Sequence, residues 1–158
     1  MQVKEMSEEE IEHLENLLEK NYGVEIDFEG KLFKTSVEKI WIASKEVFEL
    51  DSSKLRVNAL GLYLGKLKRN EKIQLSVEGA QLVGEKAKKN IAIINEENLE
   101  KYLQGFDFSA HKLINCEKNN FVLLKFREDF VGTGILRENY IENILPKARR
   151  IFIEVKKL

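Results

Sequence analysis

Cysteine and proline each occur once in this chain, and histidine twice. A single thiol, Cys116, permits no internal disulfide; with His13 and His111 it forms neither a CxxC nor an HExxH spacing, so no structural metal site and no cofactor are expected. No apolar run approaches the roughly 20 residues that span a bilayer. The opening residues MQVKEMSEEEIE are too acidic for a signal or transit peptide, so the expectation is a soluble, cytoplasmic chain with no membrane partner. GxxxxGK[ST], GxSxG and Pro-Cys motifs are also missing, which leaves triphosphate hydrolysis and serine or cysteine nucleophile chemistry without a recognisable home. The Gly-Thr-Gly at 132–134 is too short for a dinucleotide loop and is followed by strand-like residues where a phosphate-binding helix would have to start. No enzyme is expected.

What is present is enough apolar residue to bury a core, 43% of the chain, and 34% charged residues of nearly balanced sign. The net charge of −1 conceals a strong segregation. Residues 1–53 hold 6 bases and 14 acids, residues 54–89 hold 9 and 3, residues 90–136 hold 5 and 7, and residues 137–158 hold 6 and 3. Two basic stretches therefore flank a near-neutral middle, and if they meet in space they form a surface that attracts a polyanion.

Ser7 with Glu10 makes a capping box, Ile11, Leu14, Leu17 and Leu18 follow at helical spacing, and Gly23 stops the run, which predicts a helix over about 8–21. Its outer face is glutamate, an arrangement that solvation and the helix dipole explain without acid-base chemistry. Short strands are expected at 24–28, 31–34 after a Glu29-Gly30 turn, and 39–44, with Trp41 and Phe48 supplying bulk. Turn chemistry at Glu49–Lys54 coincides with the change from acidic to basic composition, so the reading divides the chain into a small α/β unit, 1–53, and a second domain, 54–158. In the second domain the pattern predicts a strand at 61–68, a helix from Ser76 to about Lys88, a strand at 90–94 and a helix from Asn95 to Gly105. Strands follow at 112–116, 121–126, 132–136 and 150–155, with a turn at Asn119-Asn120. About six strands with two early helices argue for a small barrel plugged by helices, an α+β fold, and against a parallel α/β sheet.

Cys116 reads as a buried strand residue, and His111 as structural. Binding then rests on bases: Lys66, Lys68 and Arg69 at the end of a strand; Lys86, Lys88 and Lys89 near a helix end; Arg137; and Lys147, Arg149 and Arg150 behind the single proline. Lysines near a helix C-terminus also complement its dipole, so stabilisation is a full alternative for the middle group. Asn143 and Pro146 bracket a turn that presents Lys147, Arg149 and Arg150, while Gly132 and Gly134 make room for a close approach. Arg149 and Arg150 are adjacent, so only one is expected on a given surface. Tyr63, Tyr140 and Phe106 are aromatic candidates for stacking on unpaired bases.

GLYLGKL at 61–67 with LSVEGAQLVG at 75–84, and VGTGILRENYIENILPKARRI at 131–151, resemble the first strand and helix and the closing motif of PUA-like domains attached to Sun-family RNA cytosine-C5 methyltransferases. In that closing motif a Gly-X-Gly strand leads into Asn-X-X-Pro-Lys-X-X-Arg, here Asn143, Pro146, Lys147 and Arg150. The resemblance covers about 58–155, and the order of elements is similar to small ribosome-biogenesis factors built from a pre-PUA and a PUA unit. It implies an α+β chain with a pre-PUA unit packed on a PUA-like pseudo-barrel that binds structured rRNA or tRNA. With no cofactor-binding methyltransferase domain and no paired catalytic cysteines, it implies recognition without catalysis. An RNA methyltransferase acting in trans or a pre-ribosomal protein would be the partner. The competing expectation is a protein-protein interaction module that docks through its acidic helix, or an RNA-binding accessory subunit of an RNA cytosine-C5 methyltransferase.

Overall fold

The Ser7 side chain accepts a hydrogen bond from the Glu10 amide at 3.2 Å and the Glu10 carboxylate accepts one from the Ser7 amide at 3.1 Å, starting helix α1 at Glu8. The helix runs Glu8–Tyr22 and ends at Gly23, whose φ of 68° is the left-handed value that closes a helix at little steric cost. In this computed structural model, residues 2–28, 31–43 and 61–151 are described. The expected turn at Glu29-Gly30, the boundary at 49–54, Phe48, and all but the first two residues of the strand expected at 150–155 lie outside them.

Three helices and two five-stranded sheets make up the described chain, the α+β class the sequence predicts. The first sheet is an antiparallel meander in chain order: β1 (Val3–Glu5), β2 (Leu32–Thr35), β3 (Lys39–Ile42), β4 (Leu62–Lys68) and β5 (Lys72–Leu75). Helices α2 (Val77–Gly84) and α3 (Glu96–Gln104) separate it from the second sheet and interrupt that sheet. The second sheet comprises β6 (Ile91–Ile94), β7 (Lys112–Ile114), β8 (Phe121–Phe126), β9 (Asp129–Leu136) and β10 (Ile141–Asn143), in the order β10-β9-β8-β6-β7. Within it only β6 and β8 pair in parallel, with α3 and β7 lying between them in sequence. The first sheet thus takes strands from both sides of residue 54.

Two local expectations are corrected, and one strand is added. Residues 24–28 form no strand: Val24 is fully buried under α1, but the segment has no ladder partner, and the sheet instead recruits the polar edge strand β1. Residues 72–75 form β5, returning from β4 through a turn in which Asn70 and Glu71 have positive φ. Helix α2 stops at Gly84 rather than near Lys88: residues 85–86 form a turn with the Lys86 N–H donating to the Val83 carbonyl, and Gly84 itself admits the Phe130 ring, 2.3 Å from where a Cβ would stand.

The larger core joins Leu14, Leu18 and Tyr22 of α1 to Leu32 and Ile40, to Leu64, Ile73 and Leu75, and to Val83, Leu123 and Phe130. The smaller one packs Tyr102 of α3 on Val122, Leu124, Ile141 and Leu145. A buried amide network ties the halves together. Asn120 Nδ2 donates to Asn21 Oδ1 at 3.2 Å, Asn21 Nδ2 donates to the Leu17 and Glu71 carbonyls at 2.8 and 3.0 Å, and Asn90 Nδ2 donates to the Asn21 carbonyl. Each of the three side chains is at most 4% exposed, so every one of these groups would otherwise be desolvated without a partner.

Candidate nucleic-acid interface

The pairing of β3 with β4 slips by one residue between Ile40 and Trp41: Ile40 opposes Gly65 and Trp41 opposes Tyr63, so Leu64 is the extra residue of a β-bulge. In a regular strand Tyr63 would share a face with Gly65 and Leu67. The bulge re-aims it to the face that carries Lys39 and Trp41. Its ring lies 4.9 Å from that of Trp41 at 36°, and the Lys39 ammonium stands 5.8 Å from its centroid. Partial burial raises the Tyr63 pKa, so the phenol stays protonated and neutral beside the lysine.

On the same face, Lys39 is directly opposite Lys66, Lys66 is opposite Gln74, and Lys68 is opposite Lys72. Like charges paired across strands repel. None of these four lysines has an acidic partner among the described residues. Lys72 Nζ donates to the Asn119 carbonyl at 2.7 Å, and Arg137 donates to Asn119 Oδ1 at 3.2 Å and lies 3.4 Å from the Glu142 carboxylate. A basic band therefore runs from Lys39 across the sheet face to Arg137, with Arg69 exposed in the β4–β5 turn.

At the Lys39 end the band opens on a cleft of about 230 Å³ between the first sheet and the closing turn. Lys39, Tyr63 and Gln74 form one wall, and Ile144, Leu145, Pro146 and Arg149 the other. Tyr102 and Thr133 reach the floor, where Thr133 Oγ1 donates to the Leu75 carbonyl at 3.1 Å. The Gly-Thr-Gly of the sequence explains itself here: Gly132 makes room for the Tyr102 hydroxyl, and Gly134 for the Ile141 side chain. Burial pushes the Tyr102 pKa up to about 12, partly offset by a hydrogen bond from the Thr133 backbone and by Arg149.

The closing turn is built by Asn143. Its Nδ2 donates to the Tyr102 and Phe106 carbonyls, both at 2.9 Å, and its Oδ1 accepts from the Leu145 amide at 2.9 Å. Pro146 then leads into a single 3-10 turn, Lys147–Arg149. The turn does not present its bases together. Lys147 is exposed; Arg149 swings into the cleft and pairs with Glu78; Arg150 folds back over Gly105 and donates from Nε to the Leu145 carbonyl at 3.1 Å. Burial of Glu78 opposes its ionisation, but its own backbone amide, Arg149 and Ser76 outweigh that and lower its pKa.

The ten bases singled out in the sequence thus separate. Lys66, Lys68, Arg69 and Arg137 belong to the band, Arg149 to the cleft, Lys147 to its exterior, and Arg150 to the packing over Gly105. Lys86 lies in a surface hollow with Glu15, Glu19, Glu25 and Asp27, and the Lys88 and Lys89 amides both donate to the Tyr22 carbonyl, so these three sit beside acidic α1. Lys39, Lys72 and Gln74 are additions that the structure makes. Phe106 and Tyr140 are exposed but line neither band nor cleft, Cys116 is half-buried just beyond β7 with its thiol pKa raised by burial, and His13 and His111 are exposed. Among the described residues no cluster of His, Cys, Asp or Glu could hold a metal ion, and no helix is long and apolar enough to cross a membrane.

No family model and no curated protein matches this sequence. Among solved structures it is similar to a conserved PUA domain protein from Thermoplasma acidophilum, at 12% identity and a TM-score of 0.65, over 94% of this chain and 97% of that one. At that identity the likeness is one of fold, and it extends to both sheets.

Proposed function

We propose that this chain is a non-catalytic RNA-binding protein that holds structured ribosomal or transfer RNA by its phosphates. The observation that carries the reading is the pairing of Lys39 with Lys66 and of Lys68 with Lys72 on one sheet face, where none of the four has an acidic partner among the described residues. Such a face is electrostatically unfavourable for the free protein and is relieved by a polyanion. Arg149 and Lys147 extend it across the closing turn, and Arg69 and Arg137 extend it along the sheet. The likeness to a PUA domain protein supports the same reading. In this proposal the protein works in the cytoplasm in ribosome biogenesis or RNA modification, beside a pre-ribosomal protein or an RNA methyltransferase.

The test is binding to transfer RNA and to ribosomal RNA fragments across a salt series, with Lys39, Lys66 and Arg149 changed to glutamate in parallel. About five phosphate contacts give a slope of log affinity on log salt near −4, each lost contact flattening it by about 0.7 to 0.9. Absence of binding at low salt overturns the proposal. A second reading, a docking module for a basic protein partner, is favoured by the exposed carboxylates Glu8, Glu9, Glu12 and Glu19 along α1. Salt-sensitive capture of a methyltransferase without RNA would select it.

A further inference from the structure

Phosphate contacts explain the basic band but not the cleft at its end. The cleft has an aromatic wall, a free amide and two cations, a combination that a duplex backbone does not need. We infer that it receives one unpaired nucleotide of the RNA, with the base against Tyr63 and the attached phosphate between Lys39 and Arg149. The inference rests on the RNA-binding reading and names the part of the ligand that this site takes.

Size comes first. At about 230 Å³ the cleft falls below the roughly 300 Å³ at which drug-sized and cofactor sites begin, so it suits a single base with its sugar at the mouth rather than a dinucleotide. Stacking comes next. Tyr63 is held from behind by Trp41, which fixes its ring as a platform without ordering on binding. It is on this side only because of the bulge at Leu64, a device that re-aims side chains at sites. Recognition follows from Gln74, which lines the cleft opposite Lys66 and whose side-chain amide has no hydrogen-bond partner among the described residues. One donor and one acceptor side by side match the edge of a base. The other polar groups of the floor are already satisfied: Ser76 Oγ by the Tyr63 carbonyl and the Gly79 amide, Thr133 Oγ1 by the Leu75 carbonyl. Finally, Arg149 is held by a single carboxylate, Glu78, that an incoming phosphate can replace.

The test compares a fully paired RNA hairpin with the same hairpin carrying one bulged nucleotide, substituted by fluorescent 2-aminopurine, and with free adenosine monophosphate. The expected result is about tenfold tighter binding of the bulged hairpin, with a change in 2-aminopurine fluorescence as its base stacks. Tyr63→Ala and Gln74→Ala should each bring the two hairpins close to equal affinity, while Tyr63→Phe, which keeps the ring, should retain the preference. Equal affinity of the two hairpins for the unaltered protein overturns this inference and leaves RNA binding standing. Failure of both hairpins to bind removes the RNA reading itself. Adenosine monophosphate binding as tightly as the bulged hairpin overturns the inference in favour of a free nucleotide.

Discussion

A Cβ placed on Gly132 would stand 1.9 Å from the Tyr102 hydroxyl oxygen and 2.9 Å from the ring carbon that bears it. The glycine in β9 and the tyrosine in α3 are therefore one packing decision, made at the floor of the cleft. Gly132→Ala should destabilise the protein by about 1 to 3 kcal/mol, the range for overpacking a core, read as a lower urea midpoint. Adding Tyr102→Phe, which removes the closest atom, should recover part of that loss although the single change alone is destabilising. Additive losses would mean that the two residues do not meet.

Lys66→Gln separates stability from binding. Removing one of two directly opposed lysines should leave the thermal midpoint unchanged or raise stability by a few tenths of a kcal/mol. RNA affinity should fall, with a salt slope shallower by about 0.7 to 0.9. A loss of stability with an unchanged slope would make Lys66 a structural residue and remove it from the band.

Glu10 gives the fold an acid-sensitive fastening. Its pKa is lowered to about 2, first by the hydrogen bond from Lys34 at 2.6 Å and then by the Ser7 amide. A carboxylate whose folded pKa lies below its ordinary value of 4.5 stabilises the native state above that value, and the contribution fades as pH falls from there toward 2. About a third of the Glu10 side chain is exposed, so screening holds the effect below about 1 kcal/mol. Thermal melts should place Glu10→Gln below the parent near neutral pH and bring the two together near pH 2. A constant gap across that range would show that the charge of Glu10 is not what fastens the helix start.

Asn120→Ala should cost about 2 to 4 kcal/mol in urea unfolding, because it leaves Asn21 Oδ1 and the Phe121 amide buried with one partner fewer. The slope on urea should not change if the fold is kept. A loss below about half a kcal/mol would mean that water replaces the amide and that the network is not sealed.

The helix starts, and the ends that fall at a left-handed glycine, were the legible part of the chain because they are written locally. Ser7 with Glu10, Asn95 with Asn98, and the left-handed Gly23 and Gly105 all act within four residues of the boundary they set. Strands were less legible because the partner decides. Residues 24–28 alternate as a strand should and pair with nothing, whereas the polar Val3–Glu5 pairs with β2. The basic surface failed to show itself for the same reason. Lys86, Lys88 and Lys89 stand out as a run, yet Lys86 shares a hollow with Glu15 and Glu19 of α1, and the Lys88 and Lys89 amides are tied to the end of that helix at Tyr22. Lys39 sits in the acidic segment and becomes part of the band only through the register that sets it opposite Lys66. The opening at Tyr63 was hidden further, since a bulge turns the very alternation by which a strand face is read. Asn143 and Pro146 did mark the closing turn, but which way each arginine leaves it depends on Glu78 and Gly105, more than forty residues away.

The hydrogen bond between Asn21 and Asn120 joins residues 99 positions apart in the chain. At a synthesis rate of about 5 to 20 residues per second, α1 leaves the ribosome roughly 5 to 20 seconds before the strand that seals it. Through that interval Leu14, Leu18 and Tyr22, all fully buried in the finished protein, lack part of their covering. The exposed carboxylates of the helix, Glu8, Glu9, Glu12 and Glu19, are its solvated part throughout, and only its apolar side waits for the second sheet.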